Sequence, residues 1–254
     1  MLLRERRVIL IGGEDMRAQL YLDDRIRKML KEPFETFAKT YVERVIPIFS
    51  SLEEESNKIA DEKYHDLGRY FNPERDDPAD YAEMAWEAGL EHYESMSLMQ
   101  YNMRLMWIST LYQFWEQQVR KFVFEEVTRT HKFIDKKGNE VAFAGFCTRG
   151  IDDIKDEFKE FGQDLEKLNS WSKIEELRLL ANVIKHGDGW SATKLKQLRP
   201  DFFDSGVMST DLLDLYKTTL GERVLNIEDC EYKIYCDAIV QFWDDLPDVL
   251  LSTS

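Results

Sequence analysis

Cysteine is scarce in this chain: Cys147, Cys230 and Cys236 are the only three in 254 residues. No CxxC is present and no Cys/His pair has metal-ligand spacing. Cys230 and Cys236, six apart on a predicted helix, do not face each other. A disulfide framework and a zinc site are therefore excluded, and the three read as reduced core thiols of a cytoplasmic protein. Six Pro and twelve Gly are too few for an all-β or low-complexity chain. Basic residues are outnumbered, 34 against 49 acidic, for a net charge of −15. That charge repels nucleic acid at long range and argues against broad phosphate-backbone binding by a lone monomer. No run of about 18 apolar residues occurs, so no membrane span is expected. Residues 8–11 are too short for a signal core, and Glu14 and Asp15 follow closely after Gly12-Gly13.

Several chemistries are also missing. There is no GxGxxG, and Gly12-Gly13 lacks the Lys-Ser/Thr of a phosphate-binding loop. No HExxH and no nucleophile elbow occur. No cofactor and no metal are expected. The four histidines are scattered, and His65, His92 and His131 read as surface or hairpin residues.

Aromatic residues are plentiful at 13%, including six Trp and fifteen Phe, enough for a substantial core. Apolar positions recur at helical spacing over residues 22–67, as two helices or one helix kinked at Pro47. Residues 72–78 hold two prolines among polar groups and read as a linker. It divides an N-terminal helical section, 1–72, from a helical domain, 79–254. Residues 1–13 are left open between a short strand and an ordered arm. Past the linker the pattern predicts a short helix over 80–89, then a long one over 95–129. The long helix is apolar on nearly all sides, which places it centrally in the core. Residues 132–143 read as a small β-hairpin. Further helices are predicted over 151–161, 165–169, 191–198, 210–218 and 228–245, with a short strand at 223–227. The fold class is mainly α: a helical bundle with a long central helix.

The most informative segment is 175–187, EELRLLANVIKHG. At about 100° per residue, Glu175, Arg178, Asn182 and His186 fall within an arc of roughly 80°. A carboxylate, a guanidinium, an amide and an imidazole thus line one helical face. Asn182 and His186 are four apart and can touch. Gly187 follows as a helix stop. Ser172 and Glu175 have the spacing of a capping box, which gives Glu175 a second, structural use. Read structurally, the face is a solvated polar stripe on a capped helix. Glu116, the carboxylate within 114-FWEQQV-119, reads either as a buried group needing a partner or as a surface Glu paired with Arg120.

Phe114-Trp115-Glu116 followed by Asn182-Val183-Ile184-Lys185-His186-Gly187 resembles the HEPN superfamily of helical domains. Those domains pair an acidic "FxE"-like helix with a later helix ending in "RN(x)3H". The resemblance spans about residues 95–250. It implies a HEPN-like helical bundle that dimerises through its motif helices. Active members are metal-independent ribonucleases in which Arg neutralises phosphate and His moves a proton; many belong to toxin, abortive-infection and anti-phage systems. Others lack the pair and serve as binding or scaffolding domains. Here the chain departs from the pattern: Ala181 stands where the family has Arg. The nearest guanidinium is Arg178, about 12 Å from His186 along the helix axis.

Three functions follow as expectations. The first is a non-catalytic or weakly active HEPN-like module for protein association, as a homodimer or with a protein partner, in a bacterial defence or toxin–antitoxin context. The second is a ribonuclease with His186 as general acid/base, Arg178 on the phosphate, Asn182 orienting and Glu116 holding a cation. RNA is then a partner, although the net charge does not indicate it. The third is an acidic nucleic-acid mimic presenting residues 53–55, 76–77 and 152–156 as one stripe.

Overall fold

The computed structural model is mainly helical and describes residues 7–10, 17–135, 137–148, 150–204 and 211–253, the first of these by backbone alone. In chain order it runs β1 (Arg7–Leu10), β2 (Gln19–Tyr21) and α1 (Asp24–Thr40). A π-turn (Tyr41–Val45) and a 3-10 turn (Ile46–Phe49) lead into α2 (Leu52–Gly68). Next come α3 (Pro78–Thr128), β3 (His131–Ile134), α4 (Phe143–Phe146) and α5 (Ile151–Glu160). The chain ends with α6 (Trp171–His186), α7 (Trp190–Leu198), α8 (Leu212–Tyr216), α9 (Cys230–Asp245) and β4 (Val249–Leu251). Gly12-Gly13, and the start of the helix expected at 210, lie outside the described residues.

The chain packs as two compact units, each discontinuous in sequence. The first comprises Met1–Phe37, Ser109–Leu179 and Lys233–Ser254; the second comprises Ala38–Ile108 and Leu180–Tyr232. The polar 72–78 segment lies inside the second unit.

In the first unit the core forms around the C-terminal part of α3. The Trp115 ring is fully buried and meets Phe242 of α9 edge-on at 5.2 Å and Trp171 of α6 at 6.5 Å. Phe122 meets Trp243 at 5.5 Å. The Trp243 indole N–H donates to Gln118 Oε1 at 3.1 Å, so its one polar atom is satisfied inside the core. Strand β1 pairs antiparallel with β3, and β2 with β4. The strand option for the N-terminal residues thus applies to 7–10. The expected hairpin survives only as a turn with a single Ile134–Glu140 bridge, because the ladder partner of β3 is β1. Local alternation marked the strand, but a partner some 120 residues earlier leaves no local signature.

The second unit packs α2 against the N-terminal part of α3. Here the two expected helices, 80–89 and 95–129, are one helix of 51 residues. Gly89 is not a stop. A side chain built there meets the Ser56 carbonyl oxygen at 2.8 Å and Ala60 Cβ at 3.0 Å, so this glycine lets α2 and α3 approach closely. Residues 223–227 are not a strand. Their N–H groups go elsewhere: Val224 and Leu225 donate to the buried Tyr101 hydroxyl at 3.2 and 3.1 Å, and Asn226 donates to the Phe202 carbonyl at 2.7 Å.

Three smaller expectations are also corrected. Cys147 and Cys230 are exposed, and only Cys236 is a core thiol. His131 is buried on β3, with Nδ1 at 2.7 Å from the Thr130 hydroxyl. Helix α6 begins at Trp171, so Ser172 lies within it and caps nothing. Instead the Ser170 N–H and hydroxyl donate to Asp245 Oδ2 of α9 at 2.9 and 2.8 Å, while its carbonyl accepts from Lys173 and Ile174.

Candidate functional site: the polar face of helix α6

Helix α6 contributes its first nine residues, through Leu179, to the first unit and the rest to the second. In the first unit, Arg178 projects from α6 with its side chain 17% exposed. Its Nε and Nη2 donate to the two oxygens of Glu175 at 2.8 and 2.6 Å, a bidentate pair one turn apart. The Glu175 hydrogen bond holds the guanidinium firmly in its charged form, against the opposing effect of burial. Glu175 thus serves Arg178, which answers the choice posed by the sequence.

The other half of this cluster sits on α3. Glu116 accepts from Arg120 Nη2 at 2.8 Å and from the Tyr112 hydroxyl at 3.3 Å. Both charged side chains are largely buried, at 18% and 14% exposure, so the i, i+4 pairing is correct but it is not a surface pair. Burial is the main cause of a raised Tyr112 pKa, the adjacent Glu116 carboxylate adds to it, and Arg178 and Arg120 oppose it. The phenol therefore stays neutral and feels both sequence-predicted groups, Glu116 and Arg178. Two buried donors here, Arg120 Nε and Trp115 Nε1, have no hydrogen-bond partner among the described residues. Tyr112 was missed from sequence, whereas Arg120 was named as the partner of Glu116. Their positions, four before and four after Glu116, put all three on one helical face, so the signal was present.

In the second unit, Asn182 is half-buried and His186 is exposed at the helix end. No hydrogen bond joins them among the described residues. Ala181, where the family pattern has Arg, is buried. The helix end itself is fixed. Gly187 has φ +72° and its N–H donates to the Val183 carbonyl at 2.8 Å. Thr219 Oγ1 donates to the Ile184 carbonyl at 3.0 Å, and Asp188 N–H donates to the Lys217 carbonyl at 3.2 Å. Glu116 and Arg178 are thus gathered around Tyr112, while Asn182 and His186 belong to the helix end in the other unit.

The chemistry available is that of paired charges. No group of three or more His, Cys, Asp or Glu able to hold a metal occurs among the described residues. No helix is long and apolar enough to cross a membrane among the described residues. Residues 53–55 and 76–77 belong to the second unit and 152–156 to the first.

A second polar cluster in the second unit was not expected from sequence. Tyr41 Oη and Arg104 Nε both donate to Asp229 Oδ1, at 2.8 and 2.6 Å, and Arg104 Nη1 donates to the Ile227 carbonyl at 2.5 Å. Burial, reinforced by the Asp229 carboxylate, pushes the Tyr41 hydroxyl well above the ordinary phenol range. The three residues come from the π-turn, α3 and the residue just before α9, a separation no local pattern reveals.

Comparisons of this chain with protein-family models, with curated proteins and with solved structures return no match.

Proposed function

We propose that this chain is a non-catalytic, HEPN-like helical module that works through protein association in the cytoplasm, in a bacterial defence or toxin–antitoxin setting. The observation that carries this reading is the bidentate Glu175–Arg178 pair. Arg178 is the one arginine of α6, and the pair commits its charge to a neighbouring carboxylate rather than to a phosphate. Buried Ala181 supplies no guanidinium in its place. The net charge of −15 adds long-range repulsion of RNA. Association as a homodimer remains part of the proposal on the strength of the family resemblance.

The second reading, a metal-independent ribonuclease, is favoured by one observation: His186 is exposed and accessible to a substrate. In it His186 transfers the proton, Arg178 must exchange Glu175 for phosphate, and Asn182 and Glu116 position the two. Incubating the full chain with tRNA and total RNA, in the presence of a chelator and beside His186→Ala, separates the readings. The association reading expects equal, background-level RNA loss in both samples. Cleavage by the wild type that is lost in His186→Ala overturns it.

A further inference from the structure

Helices α2 and α3 make a hairpin in which burial is inverted. Over residues 53–95 the buried positions are Ser56, Ala85 and Gly89, all small, and Gly89 closes on Ser56 and Ala60. Large side chains stand outside: Trp86 is 62% exposed and Tyr93 42%. We propose that this hairpin is a docking surface completed by one amphipathic helix of a partner protein, with lysine or arginine flanking its apolar row. The proposal deepens the association reading above and rests on it.

The uncovered residues form a row. At about 100° per residue, Trp86, Leu90, Tyr93 and Ser97 fall within an arc of roughly 60° on α3. Their intervals of four, three and four are those of a coiled-coil seam, which packs against a facing helix. The C-terminal end of the row is already covered, since Ser97 is buried and so is Tyr101, one turn on. Its N-terminal end is not: Leu90 is half-buried, and Trp86 and Tyr93 face solvent. Two helices joined through small residues bury little apolar area, and helices draw most of their stability from such burial. A third helix laid along the row supplies it and completes a three-helix bundle.

Charge fixes the chemistry of that helix. Asp80, Glu83, Glu87, Glu91 and Glu94 are all exposed and lie on one side of the row, in an arc of about 80°. Helix α2 lies on the other side, where Gly89 meets it. From Pro78 to Met103, α3 has no lysine or arginine. None of the five carboxylates is in an ion pair among the described residues. Glu87 and Glu94 directly follow Trp86 and Tyr93, so the charges keep step with the seam. Flanking charges in that register set partner choice in coiled coils. The hairpin's own cations are few and mostly engaged: Lys58 pairs with Glu62, Arg69 with Asp66 and Arg75 with Asp76. Residues 52–95 hold fourteen acidic and four basic side chains, so −10 of the chain's −15 sits here. A basic helix is attracted to this bank and a second copy of the hairpin is repelled.

The probe is a fluorescein-labelled helical peptide of leucine and lysine with its leucines in a coiled-coil row, titrated against the full chain by anisotropy. Two control peptides accompany it: glutamate in place of every lysine, and the same composition reordered so that no apolar row forms. The expected result is binding of the first peptide alone. Two double variants at exposed positions, with unfolding midpoints matching the wild type, each weaken it at least about tenfold: Trp86→Gln with Tyr93→Gln, and Glu87→Gln with Glu94→Gln. Met106→Gln, also 62% exposed but on the opposite face of α3, leaves binding unchanged. So does Glu32→Gln with Glu35→Gln, an equal loss of charge at exposed positions of α1. Equal affinity for the acidic or the reordered peptide overturns the proposal, as does wild-type affinity in either double variant of the row and its bank. A dimer in light scattering that Trp86→Gln with Tyr93→Gln abolishes makes a second copy the occupant and overturns it too. His186-dependent RNA cleavage defeats the underlying association reading whatever the peptide does. Absent cleavage with absent peptide binding defeats the docking surface alone.

Discussion

Tyr101→Phe is the sharpest single-atom test of how the second unit is held. The Tyr101 side chain is buried, and its hydroxyl oxygen accepts from the N–H groups of Val224 and Leu225 at 3.2 and 3.1 Å. Both residues are themselves buried in an irregular segment, so neither N–H has water as an alternative. The substitution removes one oxygen, leaves the ring in place and opens no large cavity. Each orphaned buried donor costs about 1–3 kcal/mol. Two donors sharing one acceptor give roughly 2–4 kcal/mol, after allowing for some relaxation of the loop. Urea unfolding followed by circular dichroism measures the total. Native-state hydrogen exchange adds the local signature: the amides of Val224 and Leu225 lose protection before their neighbours on α3. A cost within about 0.5 kcal/mol, as for a surface substitution, with unchanged protection at 224 and 225, refutes the assignment of that hydroxyl as the anchor of the segment.

Gly187→Ala should destabilise the second unit by roughly 2 kcal/mol or more, because φ is +72° and the new Cβ falls 2.3 Å from the Lys217 carbonyl oxygen; an unfolding midpoint equal to the wild type contradicts this. Asp245→Asn tests the cap on α6. Burial alone raises the Asp245 pKa, but hydrogen bonds from Gln241, Ser170 and Asn169 outweigh it and leave it below the ordinary 3.8. A carboxyl lowered in the folded state stabilises above the unfolded value and loses that contribution as pH falls through the folded one. The variant should therefore be less stable than the wild type at pH 7 by about 1 kcal/mol, with the gap closing as pH drops below 3.8. A gap that is constant with pH removes the charge from the explanation.

Much of the fold was legible in the sequence, for reasons that residues make plain. The long aromatic helix could be read because Trp115, Phe122 and their neighbours repeat at helical spacing, and burial follows from that pattern. Helix α6 and its stop at Gly187 were equally plain, since a positive φ at the helix end selects glycine. What stayed hidden was partner choice at long range. Gly89 looked like a break, and only the approach of α2 shows its use in packing. Strand β3 was visible, but β1 as its partner was not. Residues 223–227 read as a short strand, yet a distant tyrosine hydroxyl captures the amides of Val224 and Leu225. At the candidate site the individual groups Glu116 and Arg178 were legible. Tyr112, four residues before Glu116, shares its helical face and so left a local signal, whereas the Tyr41–Arg104–Asp229 cluster depends on tertiary packing that no window of sequence contains.

The central claim, that Arg178 is a structural partner of Glu175 and not a phosphate ligand, meets its most direct test in Arg178→Ala. Unfolding free energy and RNA cleavage are measured on one preparation of the variant beside the wild type. Removing the guanidinium leaves the partly buried Glu175 carboxylate, 31% exposed, without its charge-assisted bonds. The account predicts a stability loss of about 1–3 kcal/mol and no cleavage above background by either protein. A variant as stable as the wild type, with wild-type cleavage that the substitution abolishes, contradicts it.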